Sequence, residues 1–149
     1  MQKKWLIAFV AGFIAVFIFH QGMLSLLGAA GITGRSPFPD SPTWPLGLAQ
    51  IWSSAFFGGL WGLALVAIHH RFPPAVAVYW LCVGVFGALA PTLVNWFVVA
   101  PLQGGAIAGG WVPAAMLTGL MVNASWGLGT ALLYSAMMNP LAGIEPYRR

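Results

Sequence analysis

The chain predicts an all-α membrane protein: a single integral membrane domain, residues 1–149, of four transmembrane helices with both termini cytoplasmic. Three observations carry this expectation. First, 60% of the residues are hydrophobic and 5% charged, with a mean hydropathy of +0.86, whereas a soluble domain carries roughly 25% charged residues. Second, four apolar runs, at about 5–27, 48–69, 75–100 and 113–138, are each long enough to cross roughly 30 Å of hydrocarbon with their backbone hydrogen bonds closed internally. Third, with four spans Lys3, Lys4, Arg71, Arg148 and Arg149 fall on one side and Arg35 alone on the other, and an excess of Lys and Arg marks the cytoplasmic side.

Taken in order, the first run starts at Trp5 behind Lys3 and Lys4. It is longer than the apolar core of a signal peptide, and its removal would leave an odd number of spans, so it is expected to stay. An outer loop over 28–47, "GAAGITGRSPFPDSPTWPLG", holds four prolines and reads as an ordered surface loop or lid. The second run ends in "HHRFPP", where Pro73 and Pro74 break the chain before the next helix. There His69 and His70 read as a surface pair favouring a helix C-terminus. The third run contains Pro91, which lacks an amide hydrogen and is expected to kink the helix and release the Gly87 carbonyl. A glycine-rich link, "PLQGGAIAGGWVP", precedes the fourth run. Trp5, Trp44, Trp96, Trp111 and Tyr147 lie near span ends, as interfacial aromatics do.

The halves echo one another. "FGGLWGLAL" and "VNASWGLGTALL" share Trp-Gly-Leu at Trp61 and Trp126, and the first and third runs carry Gly12 and Gly84. This is the pattern of a two-hairpin parallel repeat, with chance similarity as the alternative.

Polar side chains inside the runs are the candidates for function, because each needs a partner or water. His20, Gln21, Thr92 and Asn95 come late in the outward-going runs, whereas Gln50, Ser53 and Ser54 come early in the second run and Asn123 above the middle of the fourth. All fall in the periplasmic half, which suggests one polar region. Helical spacing gathers Gln50, Ser54, Gly58 and Gly62 on one stripe, Gly84, Ala88, Pro91 or Thr92 and Asn95 on a second, and Gly119, Asn123, Gly127 and Thr130 on a third. Such stripes also serve simply to pack membrane helices together. His20 projects alone among apolar neighbours, so it reads either as a ligand or proton contact or as a neutral, hydrogen-bonded histidine.

Other classes are excluded or weak. The basic residues, for all the net charge of +4, are scattered, so nucleic acid is not an expected partner. Cys82 is the one cysteine, which rules out an intrachain disulfide and a multi-cysteine metal site. The acids Asp40 and Glu145 lie on opposite sides of the membrane and no hydrolase or phosphate-loop motif is present, so no catalytic residues and no cofactor are expected. A copper or redox role for His20 with Met23 ranks third among the readings.

"FHQG", the proline-rich loop, "FFGGLWG", "LAPTLVNWFVVAPLQG" and "GGW" together resemble a family of small bacterial inner-membrane proteins of unassigned function. The resemblance implies an inner-membrane location and no particular activity. The leading expectation is binding or permeation of a small solute or ion, with His20, Gln21, Gln50, Ser54, Thr92, Asn95 and Asn123 lining an outward-opening pocket. The alternative is an accessory or assembly subunit of a larger membrane complex. Either way the chain is expected to work in the bilayer as a homo-oligomer or beside a partner membrane subunit.

Overall fold

The structure, a computed structural model, describes residues 2–43 and 47–139. The expectations that fall on Trp44, Glu145, Tyr147, Arg148 and Arg149 lie outside the described residues. Within them are four helices long and apolar enough to span a membrane, α1 Gln2–Ala29, α2 Gln50–Arg71, α3 Val76–Leu102 and α4 Pro113–Met138. The chain is a multi-pass membrane protein by length and composition. The shortest, with 22 residues, still reaches about 33 Å at 1.5 Å per residue.

Local chemistry explains the helix ends. Pro113 opens α4, where its missing N–H is not needed. No side chain caps α2, so its first amides are served by the outer loop. Gln50 N–H donates to the Ser41 carbonyl at 2.9 Å and Ile51 N–H to the Pro39 carbonyl at 3.0 Å. The same loop closes on a two-residue antiparallel ladder, β1 Pro42–Thr43 against β2 Leu48–Ala49. Between α3 and α4, Ala108, Gly109, Gly110 and Trp111 take φ values of 51°, 64°, 70° and 59° in succession. This left-handed turn uses two glycines where a Cβ would cost roughly 1–2 kcal/mol per residue. Its buried member is Ala108, and Trp111 is exposed.

The helices stand side by side in the order α2, α1, α4, α3. Glycine sets the spacing. A Cβ on Gly12 of α1 would run into the Gly58 carbonyl oxygen of α2 and lie 3.0 Å from the Gly62 Cα, and one on Gly62 would lie 2.5 Å from the Ala8 carbonyl oxygen. On the other side, a Cβ on Gly87 of α3 would lie 2.6 Å from the Asn123 carbonyl oxygen and 2.9 Å from the Gly127 Cα of α4. Both crossings are therefore backbone against backbone, the arrangement small residues permit in membranes. The glycine of α3 at its crossing is Gly87. A Cβ on Gly84 would instead lie 3.6 Å from the Leu128 side chain. Trp126 joins the two pairs, its Nε1–H donating to the Gly12 carbonyl at 2.9 Å in the buried interior.

α2 and α3 touch mainly through large side chains, the Trp61 ring lying 6.2 Å from that of Phe86. The outer faces are apolar, including Trp52, Phe56 and Phe57 of α2 and Leu81, Val85 and Leu89 of α3, as helices facing hydrocarbon require. Pro91 does not end α3. The helix runs through it, and the irregularity comes one turn later as a wide turn with π-type hydrogen bonding over Asn95–Val99. A second such turn, Val16–His20, interrupts α1.

At the end of α2 the structure corrects the reading of the histidine pair. His70 is exposed, but His69 is buried at 2% exposure. Its Nδ1 lies 3.2 Å from the Tyr79 hydroxyl, and its ring stands edge-on to Tyr134 at 5.6 Å. The sequence pointed to a solvated helix end. The last turn of α2 tightens into a 3₁₀ turn, His69–Arg71, and the first histidine turns inward under α3 and α4. His69→Ala is expected to lower stability by about 2–3 kcal/mol and His70→Ala by less than about 0.5, read from denaturation in detergent micelles. The crossings give a second contrast. Gly12→Ala is expected to cost about 1–3 kcal/mol by overpacking. Gly28→Ala, where a Cβ meets nothing within 4 Å, is expected to be neutral or slightly stabilising.

Candidate functional site

The wide turn in α1 presents the first candidate group. Such turns displace the helix register and disturb its carbonyl pairing. Here the Phe19 carbonyl accepts the Ser125 hydroxyl of α4 at 3.1 Å. The Phe19 ring fills the notch at Gly129, where any Cβ would collide with it. This interlock fixes the next two residues. Gln21 is buried at 2% exposure and His20 is half-buried beside it.

Gln21 is used at both ends of its carboxamide. Its Oε1 accepts the Phe38 N–H of the outer loop at 2.8 Å, and its Nε2 lies 3.4 Å from His20 Nδ1. The Ser25 hydroxyl donates to its backbone carbonyl at 2.9 Å. Phe38 has φ 51°, a strained conformation for an aromatic residue. One buried acceptor thus ties the strained loop residue Phe38 to α1.

Thr92 and Asn123 make the second group, between α3 and α4. Asn123 Nδ2–H donates to Thr92 Oγ1 at 2.8 Å, and the Thr92 hydroxyl donates to the Gly119 carbonyl at 3.3 Å. Pro91 is buried beside Thr92. Trp96, expected at an interface, is instead buried, with its indole 3.4 Å from where a Gly119 Cβ would stand. Trp5 and Trp111 are exposed at helix and loop ends.

The other sequence candidates do not join these groups. Gln50 is exposed at the start of α2, Ser54 is half-buried a turn further in, and Asn95 is exposed on the outer face of α3. Thr92 and Trp96, four residues apart, take the inward positions on α3. The seven candidates therefore form two separate hydrogen-bonded groups and three outlying side chains. At the α1–α4 seam, Leu24, Leu27 and Val122 form an apolar cluster with Met23 and Met121 at its edge. Met23 is therefore part of packing, and among the described residues no group of three or more His, Cys, Asp or Glu could hold a metal ion.

A cavity of about 320 Å³ opens where the loop after α1 meets α4, lined by Ile32, Thr33, Gly34 and Arg35 of the loop and by Val112, Ala114 and Ala115 at the start of α4. It lies outside the residues picked from the sequence, because a loop packed on a helix start leaves no periodic signal. No protein-family model, curated protein or solved structure matches the chain.

Gln21→Leu keeps the bulk and removes the acceptor. It is expected to speed hydrogen exchange at the Phe38 amide by about tenfold and to open the outer loop to protease, while α4 amides keep their protection.

Proposed function

We propose that this protein is an assembly or accessory subunit of the membrane, joined to a partner through its lipid-facing surface. The observation that supports this reading is how the polar side chains are used. Those inside the bundle are consumed: Gln21 by the loop, Thr92 and Asn123 by each other, Ser125 by the Phe19 carbonyl, Trp126 by the Gly12 carbonyl. Asn95 is turned outward on an apolar face, and a polar group facing hydrocarbon requires another helix. A solute conduit would show the opposite arrangement, with polar groups aimed at a shared interior path.

Orientation and origin belong to the same proposal. Lys3, Lys4 and Arg71 lie where α1 begins and α2 ends, and Arg35 lies in the loop at the opposite end. The first end is assigned to the cytoplasm of a bacterial inner membrane by the excess of basic charge. A duplicated hairpin is supported by the crossings, since each Trp-Gly-Leu glycine, Gly62 and Gly127, abuts a glycine of the preceding helix, Gly12 and Gly87.

A second reading, binding of a small anionic solute, rests on the outer mouth, where Arg35 borders the cavity. One pair of measurements separates the two. On the assembly reading, gentle extraction from native membranes yields the chain in a particle larger than one copy, Asn95→Leu reduces that particle at least about fivefold, and liposomes of the purified protein carry no solute or ion flux. A monomeric particle with saturable flux, lost in Arg35→Ala, would overturn it.

A further inference from the structure

Building on the assembly reading, we propose that the partner at Asn95 is a second copy of this chain, docked α3 against α3 about a two-fold axis that passes beside Asn95.

Depth comes first. The 27 residues of α3 span about 40 Å, so about 5 Å at each end lies outside a 30 Å hydrocarbon layer. Asn95 is seven residues from the outer end at Leu102, about 10 Å along the axis. Its side chain therefore lies inside the hydrocarbon and is too short to reach the headgroups. Among the described residues no hydrogen bond reaches its carboxamide. Inside the bundle the chain satisfies comparable groups, so the outward Asn95 marks a place where satisfaction comes from elsewhere.

The surroundings select the partner. Every other exposed side chain of α3 is apolar, Val94, Phe97, Val98 and Leu102 near it and Leu81, Val85 and Leu89 further inward. A face with one polar group asks for a partner with one polar group at the same depth in an apolar surround. A second copy meets that requirement by construction. A carboxamide offers an N–H donor and a carbonyl acceptor on one edge, so two copies related by a two-fold axis exchange reciprocal N–H···O bonds. That is the self-complementary geometry of an isologous interface. The wide turn over Asn95–Val99 disturbs regular helical pairing at this level, and a flanking helix with a free outer face is the place where such a contact can form without repacking the core.

The test uses the full chain in native membranes and in liposomes. In a Cys82→Ala background, Val98→Cys places a thiol about one turn from Asn95, and Leu60→Cys, exposed on α2, serves as the control. Oxidation is expected to link two copies through Val98→Cys and not through Leu60→Cys. Adding Asn95→Val should lower the linked fraction about tenfold at matched dilution in lipid, and Asn95→Gln should restore most of it. If the Val98→Cys thiol links to a different polypeptide and never to its own kind, the second copy is wrong while the assembly reading stands. If it links to nothing and the chain is monomeric in both settings, both fall. Equal linking with and without Asn95→Val would overturn the carboxamide as the contact.

Discussion

Everything in this bundle hangs on the point where α1 and α2 meet backbone to backbone and α4 reaches them through one indole. Gly12, Gly58 and Trp126 occupy it: two glycine backbones in contact, and an indole whose N–H is given to the Gly12 carbonyl. A Val16 methyl would be 2.5 Å from a Cβ on Gly58, so the space that glycine leaves is already taken by α1. In a bilayer there is no hydrophobic drive between helices, and dispersion at close approach together with a buried hydrogen bond must supply the association. The position of α4 relative to α1 follows from this node, and with it the seat of Phe19 at Gly129 and the bond from Ser125 to the Phe19 carbonyl.

Composition and run length made the four spans legible: the fourth helix has the expected bounds and the other three differ from theirs by about one to three residues at an end. The small-residue stripes were legible too. Gly58 and Gly62 face α1, and Gly119, Asn123 and Gly127 face α3. What the pattern could not supply is which side of a stripe a polar residue falls on once the helix changes its pitch. Asn95 was placed inward by counting 3.6 residues per turn, and it lies in a wide turn where that count fails. His69 was missed for a related reason, since a tightened last turn carried it under Tyr79 and Tyr134. Shared depth gathered His20, Ser54, Asn95 and Asn123 in the reading. Depth fixes only one coordinate, and the azimuth around each helix separated them.

The irregular turns are where polar chemistry and packing meet. In α1 the wide turn precedes Gln21 and so sets the hold on the outer loop. In α3 it begins at the outward carboxamide. Regular helix fills the rest, its side chains engaged in close packing with little to offer a ligand. Function in such a chain is therefore sought at the two breaks in periodicity and at the surfaces they present.

The spatial order of the helices also bears on how the chain is made. Ribosomal synthesis delivers α1 and α2 together, and their glycine crossing lets them pair at once. α3, next to emerge, meets α2 through side chains such as Phe86 on Trp61 and Tyr79 on His69, because its backbone crossing is with α4. Until the last span is released, the Gly12 carbonyl lacks the Trp126 indole and α3 stands without its neighbour. Biogenesis thus has a gap built into it, an interval in which a nascent half-bundle waits in the membrane for its final helix.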